Sequence, residues 1–153
     1  MQKLKSLRDA LRRAVPQFKT NPDMLRLYVD SGHNVSTLAT SLSFQKVYDL
    51  RVVIVDFVGD LDLIFVPVQA WLREQQPDVM TAQGREKGFA YQVDVNSDDS
   101  LDIGITLRLT ERTLVREIDG ALHVSYAPEP PPVPVTRPTE LYINGELVSQ
   151  WHD

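Results

Sequence analysis

This sequence predicts an α+β domain: two amphipathic helices packed on a mostly antiparallel sheet of four to six strands, followed by a C-terminal arm. Three observations predict it. Apolar residues recur at helical spacing in two segments, and several β-branched segments alternate with period two between turn signals. A proline run from Pro128 to Pro138 then separates all of this from a last, apolar stretch. The expected organisation is a core over residues 1–126, a linker over 127–138 and an arm over 139–153.

Leu4, Leu7, Leu11, Val15 and Phe18 recur with Arg and Lys between them, so an amphipathic helix is expected over residues 3–18, stopped by Asn21-Pro22-Asp23. Leu25, Leu27 and Val29 alternate as a short strand ending at Asp30-Ser31-Gly32, before a polar stretch from His33 to Ser43. Phe44, Tyr48, Leu50, Val52 and Ile54 keep period two in a β-branched segment, which predicts a long strand near the middle of the sheet. Gly59-Asp60 punctuates the chain. Leu61, Ile64, Phe65, Val68, Trp71, Leu72 and Gln75 then trace the second helix, with Asp60 as N-cap and an end at Gln76-Pro77. Pro67 lies inside that pattern, so a kink, or a helix that starts near Pro67, is expected.

After a polar loop with Gly84 and Gly88 come three strands, over Phe89 to Val95, Leu101 to Leu109 and Leu114 to Ile118. Asn96-Ser97-Asp98-Asp99-Ser100 turns the first into the second, and Asp119-Gly120 turns the third into Leu122, Val124 and Tyr126. In the arm, Asn144-Gly145 is the dipeptide suited to a type I′ hairpin turn, and short apolar runs flank it. An isolated hairpin is marginal in water, so Leu141, Tyr142, Ile143, Leu147, Val148 and Trp151 need a surface to cover them. That surface is this chain's own core or a neighbour. A stiff polyproline segment, extended at about 3.1 Å per residue, favours the neighbour and makes these six residues the expected subunit interface.

The chain has 153 residues, enough for one ordinary core without a covalent staple, and no cysteine. It therefore has no disulfides or thiolate chemistry, which fits a reducing compartment, and no segment resembles a bilayer span or signal peptide; a soluble intracellular protein is expected. The net charge of −5 is uneven: Lys3, Lys5, Arg8, Arg12, Arg13 and Lys19 against Asp9 give residues 1–20 a charge of +5, leaving −10 elsewhere. A basic face at Arg8, Arg12 and Arg13 could dock an acidic partner, or could simply be the solvated side of a helix. The acidic remainder argues against a dedicated nucleic-acid binder.

Three patterns invite a chemical reading. Asp94, Asn96, Asp98, Ser100 and Asp102 mimic the alternating oxygen ligands of a calcium loop, but Asp99 occupies the position of its sharp-turn glycine and Ile105 that of its bidentate glutamate. A solvated hairpin turn explains the same residues. Asp56, Asp60 and Asp62 cluster between strand and helix, where capping and the helix dipole account for two of the three. His33, in a loop, His123, in an edge strand, and His152 have no metal-ligand spacing, and no nucleophile or phosphate-loop motif accompanies them. No catalytic residue, metal or cofactor is expected.

Several segments together resemble the tail completion protein R (GpR) family of temperate contractile-tailed bacteriophages. They include Lys19-Thr20-Asn21-Pro22-Asp23-Met24, Ser36-Thr37-Leu38-Ala39, Asp56-Phe57-Val58-Gly59-Asp60, Ala70-Trp71-Leu72-Arg73-Glu74, Leu109-Thr110-Glu111-Arg112-Thr113 and Glu140-Leu141-Tyr142-Ile143-Asn144-Gly145. The resemblance runs along essentially all 153 residues, departing mainly in the loop from Ala82 to Lys87 and from Ser125 to Glu129. It implies a non-enzymatic virion protein at the head-proximal end of the tail, assembled in the host cytoplasm. By analogy with tail terminators, it implies a homohexameric ring that caps tube and sheath and readies the tail for head joining. Its partners would then be further copies of itself, tube and sheath proteins, and neck or other tail completion proteins, with DNA only passing through the lumen and no membrane. A neck or head-tail adaptor, or a small intracellular enzyme or ligand-binding domain with a site between the second helix and the sheet, are the alternative readings.

Overall fold

The computed structural model describes residues 1–36, 40–81, 88–128 and 137–152. The central proline residues 129–136, and with them the expected stiffness of the linker, lie outside the described residues, as do 37–39 and the Gly84 loop at 82–87.

The expected first helix is two. α1 spans Gln2–Ala14 and α2 spans Pro16–Thr20, with Val15 extended between them at φ −108° and ψ 108°. The cause is Pro16, whose ring disfavours helical geometry in the residue before it and pre-sets the first position of a new helix. The apolar periodicity survives the break, because Leu7, Leu11, Val15 and Phe18 are all buried.

β1 (Leu25–Ser36) runs well beyond the predicted stop. Asp30 forms a bulge between Val29 and Ser31, not a turn, and the strand continues through His33. β2 (Phe44–Phe57) is the long central strand expected, flanked by β1 and by the strand over Leu101–Ile118. α3 (Asp62–Gln75) starts a turn before Pro67 and runs through it, and it ends where predicted. The Asp60 carboxylate accepts the Asp62 backbone N–H at 2.9 Å and the Asp60 carbonyl accepts that of Leu63 at 3.0 Å, so Asp60, one residue ahead of the N-cap position at Leu61, satisfies two of the helix's orphan donors.

β3 (Phe89–Val95) pairs with β4 (Leu101–Ile118), and β5 (Ala121–Ala127) completes the five-stranded sheet, in which every pairing is antiparallel. The two predicted strands 101–109 and 114–118 are one. Thr110 to Thr113 is polar but contains no turn former, and it stays paired with β2 from Val47 to Phe44. β6 (Glu140–Ile143) and β7 (Glu146–Gln150) form the separate C-terminal hairpin.

The core lies between α1, α3 and one sheet face, where Tyr48, Leu50, Val52 and Ile54 of β2 meet Ile103, Ile105, Leu107 and Leu109 of β4. Trp71 donates its indole N–H to Ser6 at 3.0 Å and ties the helices together. Gln76 closes the edge of β4 between β3 and β5. Only 2% exposed, it accepts the Thr110 N–H at 3.0 Å and the Lys3 ammonium at 2.6 Å. Its amide donates to Thr110 Oγ1 at 3.0 Å and to Asp78 at 2.7 Å.

Candidate assembly surface

The Asn144-Gly145 turn has the φ values of 52° and 79° that a type I′ hairpin needs, and Asp119-Gly120 repeats it at 52° and 79°. At the base of the arm, the Trp151 N–H donates to the Thr139 carbonyl at 2.9 Å. Strand alternation then divides the arm into an inner and an outer face. Leu141 and its partner Ser149 point inward, 8% and 4% exposed, and the Ser149 hydroxyl donates to the carbonyl of Ala14, the last residue of α1.

Val148 and Trp151 also pack on this chain's core. The inner face is therefore covered in cis, where the linker composition had favoured a neighbour. The physical reason is local: the last turn of α1, together with Val15, offers an apolar ledge and an orphan carbonyl that Leu141 and Ser149 satisfy together. The outer face stays open. Tyr142 and Leu147 stand opposite one another, 56% and 46% exposed, with Ile143 half-buried at the tip. Tyr142 donates its hydroxyl to the Glu140 carboxylate at 3.0 Å, and that bond, helped by the carboxylate's negative charge, raises the phenol's pKa. Of the six expected interface residues, Tyr142 and Leu147 are the two that the structure leaves exposed.

The basic face of α1 is mixed. Lys3 is buried against Gln76, Arg8 and Arg12 are half-buried with no hydrogen-bond partner for their buried Nε atoms, and Arg13 is exposed. Arg13 lines a shallow hollow of about 290 Å³ with Trp71, Trp151 and the Arg137–Glu74 ion pair of 3.1 Å. Arg8, Arg12 and Arg13 are thus not equivalent members of one solvated stripe.

The carboxylate patterns resolve into backbone support. Asp98 accepts the Ser100 N–H at 3.1 Å and its hydroxyl at 2.6 Å, which lowers the Asp98 pKa. Asp102 accepts the Asp56 N–H at 3.0 Å and the Asn96 amide at 3.1 Å, which lowers its own. Asp56 itself sits in a bulge of β2 with φ 55°. These oxygens hold a turn and a bulge. Among the described residues no group of three or more His, Asp or Glu side chains converges as a metal site would. His33 lies within β1 opposite Val47, not in a loop; His123 pairs with Arg116 in β5, an edge strand as predicted. No described helix is long and apolar enough to cross a membrane.

A second exposed surface went unread in the sequence. The sheet continues past its helices: β2 begins at Phe44 opposite Thr113, whereas β4 runs on to Ile118 with β5 as its strand partner. Leu122, Val124 and Tyr126 are each half or more exposed along β5. The signal was present as alternating apolar residues around Asp119-Gly120, but which of them stay uncovered depends on long-range register.

A compact core that leaves apolar side chains on two projecting β-ribbons has the build of an assembly subunit. The comparisons specify which kind. Residues 1–130 match the family model of P2 phage tail completion protein R (GpR), and the chain belongs to that family. It is 63% identical to Tail completion protein R of Escherichia phage P2 over 155 residues, an alignment that covers 100% of both chains. No solved structure matches.

Proposed function

We propose that this protein completes the phage tail at its head-proximal end, as a six-membered ring that stops tube and sheath growth and presents a surface for head joining. The observation that carries the reading is the full-length similarity to a tail completion protein, through the arm as well as the core. The outward arm residues fit it. A cyclic ring needs two different patches on each subunit, and Tyr142 and Leu147 lie exposed on a hairpin whose inner side is already anchored by Leu141, Val148 and Trp151.

The further partners are tube and sheath proteins on one side and neck or other tail completion proteins on the other, with Arg8, Arg12 and Arg13 as a basic docking face. The protein acts structurally, without catalytic residues or cofactor, in the virion after assembly in the host cytoplasm. Six copies would carry about six times the chain's −5 charge, which discourages DNA from sticking to the ring as it passes. The test is electron microscopy of lysates from a prophage lacking this reading frame. Overlong or unsheathed tails beside free filled heads are expected. Normal-length tails that fail only to join heads would move the role to a neck adaptor, and intact virions would overturn it.

A further inference from the structure

We infer that the arm's outer face docks on the overhanging part of the sheet of the next copy of this chain, an inference that rests on the ring reading above. The overhang is defined by register. Thr113 pairs with both Phe44 and Tyr126, Val115 pairs with Val124, and Glu117 pairs with Leu122, so these residues share one face of the sheet. It is the face that α1 and α3 cover further along. The cover ends where α1 begins, since the Gln2 N–H donates to the Glu111 carboxylate at 3.0 Å.

Beyond that point Phe44, Val115, Leu122, Val124 and Tyr126 form an apolar strip with the Lys46 cation at its helix end and Glu117 at its far end. Leu122 is 59% exposed and Val124 58%. The Lys46 ammonium lies 5.4 Å from the Tyr126 ring centroid and 5.9 Å from that of Phe44. Glu111, directly opposite Lys46, already accepts the Gln2 N–H and the Tyr48 hydroxyl. A two-stranded ribbon with this much bare apolar surface is marginal until something covers it.

The arm has the complementary chemistry. Its outer face presents an aromatic ring and an aliphatic side chain beside the Glu140 carboxylate, and residues 139–151 contain no lysine or arginine. An acidic, apolar hairpin therefore meets an apolar strip whose Tyr126 end carries a lysine, with the Glu140 carboxylate toward that end and away from Glu117. Placement selects a neighbour as the source. Ser149 pins the arm to Ala14 at one end of α1, while Gln2 at the other end adjoins the overhang. The thirteen residues of α1 separate the two by about 20 Å. One copy cannot cover its own overhang with its own anchored arm. Two unlike patches at opposite ends of one helix make a heterologous contact, the kind that forms a ring when the rotation between copies closes.

The chain has no cysteine, so introduced thiols report this contact alone. The test introduces Tyr126→Cys and Leu147→Cys, both at exposed positions, and oxidises the full-length protein both purified and in recovered tails. The double variant should give a ladder of covalent multimers ending at the ring. A mixture of the two single variants should stop at the dimer, and each single variant alone should stay uncrosslinked. A wild-type ring whose double variant gives no ladder would overturn this interface and leave the ring reading standing. A Tyr126→Cys homodimer, or a disulfide closing within one chain, would overturn it as well. Absence of any oligomer in solution and in tails would overturn the ring reading itself.

Discussion

Replacing Gln76 with alanine should cost this protein a large part of its stability although it removes no hydrophobic contact of note. Gln76 is 2% exposed and makes four hydrogen bonds, to Lys3, to Asp78 and twice to Thr110. The Thr110 N–H points into the gap between β3 and β5, where no strand can take it, so truncation leaves a buried donor unsatisfied at about 1–3 kcal/mol. Loss of the charged bond from Lys3 adds about 1.5–3 kcal/mol. A total of about 2.5–6 kcal/mol is expected against a typical domain stability of roughly 5–15 kcal/mol. Urea unfolding followed by far-ultraviolet circular dichroism reads this directly. With a slope of about 2 kcal/mol per molar, the midpoint should fall by roughly 2 M at unchanged slope. Gln75→Ala, one residue earlier, should shift stability by no more than about 0.5 kcal/mol. Equal small shifts for the two variants would refute the staple.

Further expectations concern the arm, the titrating groups and the basic helix. Leu141→Ala should lower stability by about 2–4 kcal/mol in thermal unfolding, because its side chain closes the core at 8% exposure; an unchanged melting temperature would mean the arm does not seal the core. Tyr48 is pushed well above its ordinary value of 10, first by burial and then by its bond to Glu111. A raised acid favours the fold below pH 10, and that contribution is lost as pH rises further, so Tyr48→Phe should flatten the alkaline limb of a stability profile. Asp98 and Asp102 are depressed below 3.8, so their contribution is present above that pH and lost as pH falls through their lowered values. Asp102→Asn should flatten the acid limb. Arg12→Glu combined with Arg13→Glu should reduce particle yield while circular dichroism stays native; unchanged yield would leave that face without a docking role.

Local signals carried most of the architecture. Asn144-Gly145 and Asp119-Gly120 announced their turns because only residues tolerant of positive φ fit there, and the alternation from Phe44 to Ile54 announced the central strand. Pro16 breaks the helix although the apolar period runs on, the sheet absorbs Asp30 as a bulge, and β2 keeps pairing through the polar stretch from Thr110 to Thr113. At Asp30 and Thr110 the sheet overrides a local cue, whereas at Pro16 a local cue overrides the apolar period.

The site was legible in part. The arm's apolar content was plain, but an amphipathic hairpin does not reveal which face it buries, and Ser149 meeting the Ala14 carbonyl joins residues 135 positions apart. The overhang was hidden for a related reason. Leu122, Val124 and Tyr126 look like any half-buried strand until the register shows that β2 stops short of them. Gln76 carries no sequence signal at all, since its role depends on the gap in pairing along one edge of β4.

The most direct measurement is a cryo-electron-microscopy reconstruction of the head-proximal end of tails from particles carrying this protein. The account predicts six copies closed in one ring above the last tube and sheath layer, each arm lying across the overhang of the next copy. Density for this chain along the tube or at the distal end, or a tail terminus without it, would contradict the account.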